Sequence, residues 1–92
     1  MKIALRYTSQ LAAAAGTSEE GIEVADGLGL VELLRNISQQ HGPEFSKFVL
    51  NDDGNPVPTL VVAVNDTQVD LRDDISLEDE SEVILITPMS GG

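Results

Sequence analysis

The residues with the clearest chemical potential stand at the end of the sequence, where Gly91 and Gly92 follow a short exit segment, residues 87–90. Glycine has no Cβ and adopts nearly all backbone conformations, so a pair of glycines forms a thin, flexible tail. Such a tail can thread a narrow channel in another protein and present the carboxylate of Gly92 there. The carboxylate reacts only after an ATP-using partner has made one oxygen a good leaving group. The adenylated group can then accept sulfur, giving a thiocarboxylate, or an amine, giving an amide.

The other side chains form a poor catalytic set. The chain has no cysteine, which excludes disulfides, thiolate nucleophiles and cysteine-bound metals and is compatible with a reducing cytosol. His41, the single histidine, ends a predicted helix. We favour the role of a cation that complements the helix dipole over the role of a catalytic base. Asp70, Asp73 and Asp74 lack the ligand spacing of a calcium loop, so we interpret them as a solvated turn and predict no metal site. Ser90 has no histidine near it and is not expected to be a nucleophile.

Charge and composition limit the possible partners. Sixteen acidic and five basic residues give a formal charge of −11, which disfavours binding to nucleic acid and to anionic membranes. The charge fits either docking onto a basic partner or a general need for solubility. A chain of 92 residues that is 41% hydrophobic predicts a single folded domain over residues 1–92. Residues 1–6 turn polar too early for a signal peptide and the apolar runs are too short for a bilayer, so we expect a cytoplasmic protein.

The first half of the chain predicts a hairpin followed by a helix. Residues 2–7 alternate polar and apolar side chains, the pattern of a strand with one buried face. Residues 9–15 read as a short helix that Ser9 caps and Gly16 ends. A second short strand is predicted over residues 20–24.

The main helix is the clearest element of the sequence. From Leu30 to Ile37 the apolar residues recur at i, i+3, i+4 and i+7, and Gly42 followed by Pro43 predicts the end of the helix. An irregular hairpin is expected over residues 51–58, which contain an Asp-Gly pair and two prolines.

The second half of the chain predicts strands joined by short turns. Residues 60–64 are almost all apolar, as expected for a central strand buried on both faces. Residues 67–71 form a short strand, 73–79 a polar crossover and 83–86 the last strand. We therefore predict an α+β fold in which one main helix packs on one face of a mixed sheet of four to five strands. A last strand in the middle of the sheet would hold the base of the tail rigidly.

Several short segments carry a resemblance to a known family. They are residues 11–17 after the first strand, 64–65 before a turn, Leu77, residues 82–83 and above all the ending 88–92. In these segments the chain resembles the ubiquitin-like sulfur-carrier superfamily, which includes the small subunit of molybdopterin synthase and the sulfur carrier of thiamine biosynthesis. The resemblance spans essentially the whole chain, and the proline followed by a terminal diglycine is its most specific part.

The resemblance implies a β-grasp fold and a carrier that is not itself an enzyme. Gly92 would be adenylated by an E1-like enzyme, thiocarboxylated and used inside a sulfur-accepting synthase such as the molybdopterin synthase large subunit. Pro88, Met89, Ser90 and Gly91 would thread the partner's channel. No cofactor would be bound, because ATP is used by the activating enzyme. Leu85 and Ile86 replace an aromatic pair usual in molybdopterin carriers, so cysteine or thiamine biosynthesis, or conjugation to lysines as a protein modifier, are alternatives to molybdopterin biosynthesis.

A docking face is also expected, because a flexible tail alone gains little affinity once its ordering entropy is counted. We predict a shallow apolar patch on the exposed sheet face with an acidic rim, as in other ubiquitin-like carriers. Its residues are Phe45 or Phe48, Leu60 and Val62, with Glu80 and Glu82 at the rim. The alternative is that both phenylalanines pack under the main helix. A plain interaction domain, which would not need the diglycine, is the third hypothesis for the whole protein.

Overall fold

Five strands and three α-helices make up the part of the chain that the structure, a computed structural model, describes, namely residues 1–73 and 75–87. In chain order they are β1 (Lys2–Tyr7), α1 (Ser9–Ala15), β2 (Glu19–Glu23), α2 (Leu30–His41), α3 (Pro43–Ser46), β3 (Val61–Val64), β4 (Thr67–Val69), a 3₁₀ turn (Leu71–Asp73) and β5 (Ser81–Ile86).

The strands form one mixed sheet in the order β2-β1-β5-β3-β4. β5 pairs in parallel with β1 and antiparallel with β3, and the two remaining pairings are antiparallel. The last strand therefore lies in the middle of the sheet, the position in which it would hold the base of the tail rigidly. Together with the helix packed across one face, this arrangement is the β-grasp fold expected from the sequence.

The main helix covers one face of the sheet as the apolar spacing predicted. Leu30, Leu33, Leu34 and Ile37 are at most 1% exposed, and they pack with the inward side chains of β1 in a single core cluster. Gly42 ends α2 with a φ of 89°, in the left-handed region that glycine adopts without steric cost. The chain then turns directly into the short helix α3.

The first helix spans Ser9–Ala15 as predicted, but its N-cap lies one residue earlier than predicted. Thr8, with extended backbone, occupies the N-cap position, and Ser9 is the first helical residue, so the prediction of Ser9 as the cap is wrong. Thr8 makes no capping hydrogen bond. Its hydroxyl instead donates to the carbonyl of Leu85 at 3.2 Å, which ties the start of α1 to β5.

Two predictions for the second half need correction. The hairpin expected over residues 51–58 is reduced to one antiparallel bridge between Leu50 and Pro56, because proline cannot donate to a longer ladder. The strand expected to be buried on both faces, β3, is buried on one. Val62 faces α2 and is 0% exposed. Val61 and Ala63 are half-buried because they point to the other face of the sheet, away from α2.

Candidate functional site: the end of the central strand and the open sheet face

β5 leads to the candidate reactive terminus and is held from both sides. Val83 pairs with Leu5 of β1 and with Val64 of β3, and both Val83 and Leu85 are 0% exposed. A strand bonded on two sides and buried in the core opens only when much of the domain unfolds. The last strand thus gives the chain a rigid support up to the residues that precede the tail.

The tail itself lies outside the described residues. This applies to the predicted threading residues Pro88, Met89, Ser90 and Gly91 and to the predicted reactive residue, Gly92. Their roles therefore remain predictions, and the site is built from the surfaces that surround the end of β5.

The side of the sheet opposite α2 carries an apolar surface next to this end. Successive strand residues point to opposite faces, so the positions between the buried ones turn outward. Five apolar residues occupy outward positions on that face, and we call them the open-face patch: Ala4, Val61, Ala63, Ile84 and Ile86. The register pairs Val61 with Ile86 and Ala63 with Ile84, whereas Ala4 pairs with Glu82. Ile86 is 38% exposed and is the single exposed large hydrophobic side chain in the described part of the chain. An apolar surface on the open side of a sheet is a candidate for protein contact.

The rim of the open-face patch carries charges of both signs. Glu82 lies beside Ala4 in the register, and Glu80 is exposed in the turn that precedes β5; their role as an acidic rim stays a prediction. On the other side Arg6 is also exposed and its Nε lies 3.6 Å from a Glu19 carboxylate oxygen. Exposed ion pairs of this kind contribute little to stability, so these groups remain available to a partner.

Three of the residues predicted to line the docking face belong to the core instead. Phe45 and Val62 are 0% exposed and Leu60 is 6% exposed, so the prediction of a patch built from these side chains is wrong. Val62 pairs with Leu85, whose side chain faces α2, and Phe45 packs edge-on against Tyr7 with ring centroids 5.2 Å apart. Phe48 is half-buried, and the Lys47 ammonium lies 5.3 Å from its ring.

A polar cluster that the sequence did not predict connects β2 to the end of α2. The carboxylate oxygen Oε2 of Glu20 accepts a hydrogen bond from the Tyr7 hydroxyl at 2.6 Å and lies 2.5 Å from Nε2 of His41. Gln40 donates to the other oxygen of Glu20 at 3.4 Å. Burial raises the pKa of Tyr7 well above its ordinary value, and the hydrogen bond and the negative charge of Glu20 raise it further.

The Tyr7–Glu20–His41 cluster adds contacts that the sequence did not indicate for the histidine. His41 lies in the last turn of α2, as predicted, and its role at the helix dipole stays a prediction. Its ring is also paired with a carboxylate 21 residues earlier and lies near Phe45, at 4.9 Å between ring centroids. Glu20 was the signal in the sequence that could have indicated this cluster. It pairs with the buried Leu5, so its carboxylate occupies an inward position of β2. The cluster is a structural clamp between an edge strand and a helix end.

The acidic residues form no metal centre in the described part of the chain. Among residues 1–73 and 75–87, no three histidine or carboxylate side chains are grouped so that they could hold an ion, and Asp74 lies outside these ranges. Asp70 instead binds the Arg72 guanidinium, with one contact of 2.7 Å. The hydrogen bonds to Arg72 lower the pKa of Asp70 to about 2.

No described helix has the length and apolar character required to cross a membrane.

Comparison with known proteins identifies the relatives of this chain. The sequence model of the ThiS family matches residues 5–92. The molybdopterin synthase sulfur carrier subunit of Chlamydomonas reinhardtii is 32% identical over 92 residues, covering 100% of both chains. The crystal structure of SAMP1 from Haloferax volcanii superposes with a TM-score of 0.87 at 23% identity, with 100% of each chain covered. In the complex of subunits 1 and 2 of the molybdopterin-converting factor from Helicobacter pylori, one chain matches with a TM-score of 0.60 at 22% identity, again with full coverage of both.

Proposed function

Because the chain belongs to the ThiS family, we propose that it is a sulfur carrier whose Gly92 carboxylate is adenylated by a partner enzyme, converted to a thiocarboxylate and used to donate sulfur. The cycle belongs to molybdopterin biosynthesis in the cytoplasm. The name of the Chlamydomonas relative, a molybdopterin synthase sulfur carrier subunit, supports this choice of pathway.

The observation that carries the proposal is the position of β5. It is the central strand of the sheet, and five residues follow Thr87 up to Gly92. Five fully extended residues span at most about 17 Å. A carboxylate on such a tail can reach into a channel of a partner while the domain stays outside, which is the geometry that a carrier needs.

The chemistry divides between this chain and its partners. A Gly92 carboxylate oxygen attacks the α-phosphorus of ATP in the activating enzyme, and pyrophosphate leaves. A sulfide or persulfide sulfur then attacks the acyl carbon, AMP leaves with the carboxylate oxygen, and a persulfide donor is cleaved at its S–S bond by a reducing thiol. In the synthase the thiocarboxylate sulfur attacks an electrophilic carbon of the acceptor and displaces its leaving group. Water then hydrolyses the acyl–sulfur bond, so that the sulfur stays on the acceptor and Gly92 regains its carboxylate. Binding and positioning are the contributions of this chain, and the partner supplies the electrostatic stabilisation.

The open-face patch is the surface that we assign to partner docking. It replaces the predicted surface of Phe45, Leu60 and Val62, and Ile86 at its edge is the last residue of β5. A partner seated there contacts the domain and the base of the tail at the same time. The Helicobacter pylori structure, a complex of two molybdopterin-converting factor subunits, supports a synthase large subunit as one such partner. The E1-like adenylating enzyme is the other.

The proposal is tested by mass spectrometry of the loaded carrier. The full chain is incubated with the adenylating enzyme of the same organism, ATP and a sulfur source. Exchange of one oxygen for sulfur adds about 16 Da. A variant without Gly91 and Gly92 is the control and should gain nothing. An unchanged mass of the intact chain, with an enzyme shown to be active on another carrier, would exclude the sulfur-carrier function.

Conjugation to lysines is the second candidate, because an amine attacks the same acyl-adenylate. The structural similarity to SAMP1, the small archaeal modifier protein 1 of Haloferax volcanii, motivates the test. The last basic residue of the chain is Arg72, so trypsin would leave residues 73–92 as a branch on a modified lysine. Detection of that branch in cell extracts supports the modifier; its absence, with a loaded thiocarboxylate present, supports the sulfur carrier alone.

A further inference from the structure

A groove of about 710 Å³ lies between the loop that precedes β3 and the end of β4, a volume typical of binding clefts. We call it the proline groove. Its lining residues include Pro56, Pro58, Val61, Gln68, Val69 and Leu71. The function proposed above makes no use of this groove.

The two walls of the proline groove offer different contacts. Pro56 and Pro58 have no N–H, so their wall offers ring carbons and carbonyl oxygens. The other wall is β4, an edge strand. The two-residue turn Asn65–Asp66 makes its flanking residues, Val64 and Thr67, a hydrogen-bonded pair. Because such pairs alternate along an antiparallel ladder, the N–H and C=O of the next residue, Gln68, point away from β3. An extended, mainly apolar segment satisfies both walls, because it fills the apolar space and pairs with a free strand edge.

Charge around the proline groove favours a basic occupant. Arg72 holds Asp70 with both ends of its guanidinium, at 2.7 Å from the terminal nitrogen and 3.1 Å from Nε, so the two charges neutralise each other locally. Asp73 follows in the same 3₁₀ turn and is exposed. With a net charge of −11 on the whole chain, the rim attracts lysine or arginine and repels carboxylates.

The proline groove is continuous with the open-face patch. Val61 belongs to both surfaces, and it pairs in the register with Ile86, the last residue of β5. Both surfaces therefore meet at the end of the sheet from which the chain continues toward Gly92. A partner protein can therefore cover the open-face patch, receive the tail and contact the proline groove at the same time. The described residues need not move for this.

We infer that the proline groove is a second docking surface, occupied by an extended apolar segment of the adenylating enzyme that carries lysine or arginine beside Asp73. The inference rests on the proposed function, and it commits to the adenylating enzyme because sulfur transfer and conjugation both require that partner. The segment adds a strand to the free edge of β4 and places aliphatic side chains against Pro56, Pro58 and Leu71.

The test compares matched proline variants of the full chain. Pro58→Lys adds a positive charge, which repels a basic segment, to an exposed position of the groove, and Pro43→Lys makes the same change at an exposed proline outside it. Leu71→Lys is a stronger groove variant, and circular dichroism verifies that each variant is folded. Calorimetry measures binding to the adenylating enzyme of the same organism without ATP, and pyrophosphate exchange measures adenylation.

We expect Pro58→Lys to weaken binding about tenfold, as for an anchor position of moderate strength, and to raise KM for the carrier with kcat unchanged. Pro43→Lys should bind like the wild type. Equal affinities for Pro58→Lys, Leu71→Lys and the wild type would overturn the groove as a docking surface while leaving the proposed function intact. A wild-type chain that binds the enzyme but supports no pyrophosphate exchange would overturn the proposed function instead.

Nuclear magnetic resonance on the free protein tests two other occupants of the groove, the chain's own tail and a second copy of the chain. Shifts of groove amides on deletion of residues 88–92 would show that the chain's own tail occupies the groove and would overturn the inference. Shifts that depend on protein concentration would show a second copy, with the same consequence. Unchanged groove shifts in both experiments are the result that we expect.

Discussion

Replacement of Tyr7 by phenylalanine should destabilise the domain at neutral pH and stabilise it relative to the wild type in strong alkali. Tyr7 is 3% exposed, and its hydroxyl donates to the Glu20 carboxylate at 2.6 Å. A hydrogen bond to a charged group is worth about 1.5–3 kcal/mol. Because His41 and Gln40 still contact the carboxylate after the change, we take the lower end, about 1.5 kcal/mol. For a domain of this size that lowers Tm by roughly 6–12 °C.

The pH dependence follows from the raised pKa of Tyr7, which burial causes first and Glu20 increases. The unfolded chain releases the phenolic proton near pH 10, whereas the folded chain retains it to higher pH. Above pH 10 the unfolded state therefore binds fewer protons, and the free energy of unfolding falls by about 1.4 kcal/mol per pH unit. This loss is absent from Tyr7→Phe. The two stability curves should cross near pH 11, where a loss of about 1.5 kcal/mol equals the lost hydrogen bond.

The assay uses the fact that Tyr7 is the single tyrosine of a chain without tryptophan. Urea unfolding followed by circular dichroism gives the free energy of unfolding of both proteins from pH 7 to pH 11.5. Absorbance of tyrosinate reports the ionisation of Tyr7 directly and should appear at pH 11 only on unfolding. Glu20→Gln keeps the acceptor oxygen but removes the charge, and it should bring the pKa of Tyr7 closer to its ordinary value. A constant stability difference across this range, or a folded-state tyrosine that ionises near pH 10, would refute the reasoning.

Four further changes test the tail, the docking surface and the core. Gly92→Ala should leave thermal stability unchanged and impair sulfur loading, because its methyl group restricts and widens the tail; full loading would argue against a threaded terminus. Ile86→Asp should weaken partner binding about tenfold or more with little loss of stability, since this side chain is already exposed; an unchanged Kd would remove the open-face patch from the interface. Reversing the charges of Glu80 and Glu82 together should slow association with the adenylating enzyme and flatten the salt dependence of that rate. The relevant range is about 50 to 500 mM salt, where the screening length falls from about 14 to about 4 Å. An unchanged on-rate would make the acidic rim a solubility feature. Leu33→Ala, at a position with 0% exposure, should cost about 2–5 kcal/mol by leaving a cavity beneath α2, and a cost below about 1 kcal/mol in urea unfolding would contradict its place in the core.

The sequence by itself determined the elements whose patterns are local. The alternation of β1 and the i, i+3, i+4, i+7 spacing of α2 each define one apolar face, and both faces are buried as predicted. Gly42 and the Asn65–Asp66 turn mark their element ends through backbone conformations that few residues adopt readily. The order of the elements indicated one main helix on a mixed sheet, and the structure then placed the last strand in its middle. The chemistry assigned to Gly92 follows from the sequence alone as well, and it remains a prediction.

Only the tertiary structure decided which side chains surround the end of β5. Residues 60–64 are almost uniformly apolar, so no alternation indicates an inward face, and the pairing of Val62 with Leu85 decides it. That pairing buries Val62 and turns Val61 to the open face, so the docking surface that we propose differs from the residues first predicted. The contact between Glu20 and His41 joins positions 21 residues apart, and the proline groove joins the loop that precedes β3 to β4 and the turn that follows it. Contacts between distant segments depend on register and packing, and a one-residue shift in register reverses the face of every side chain in a strand.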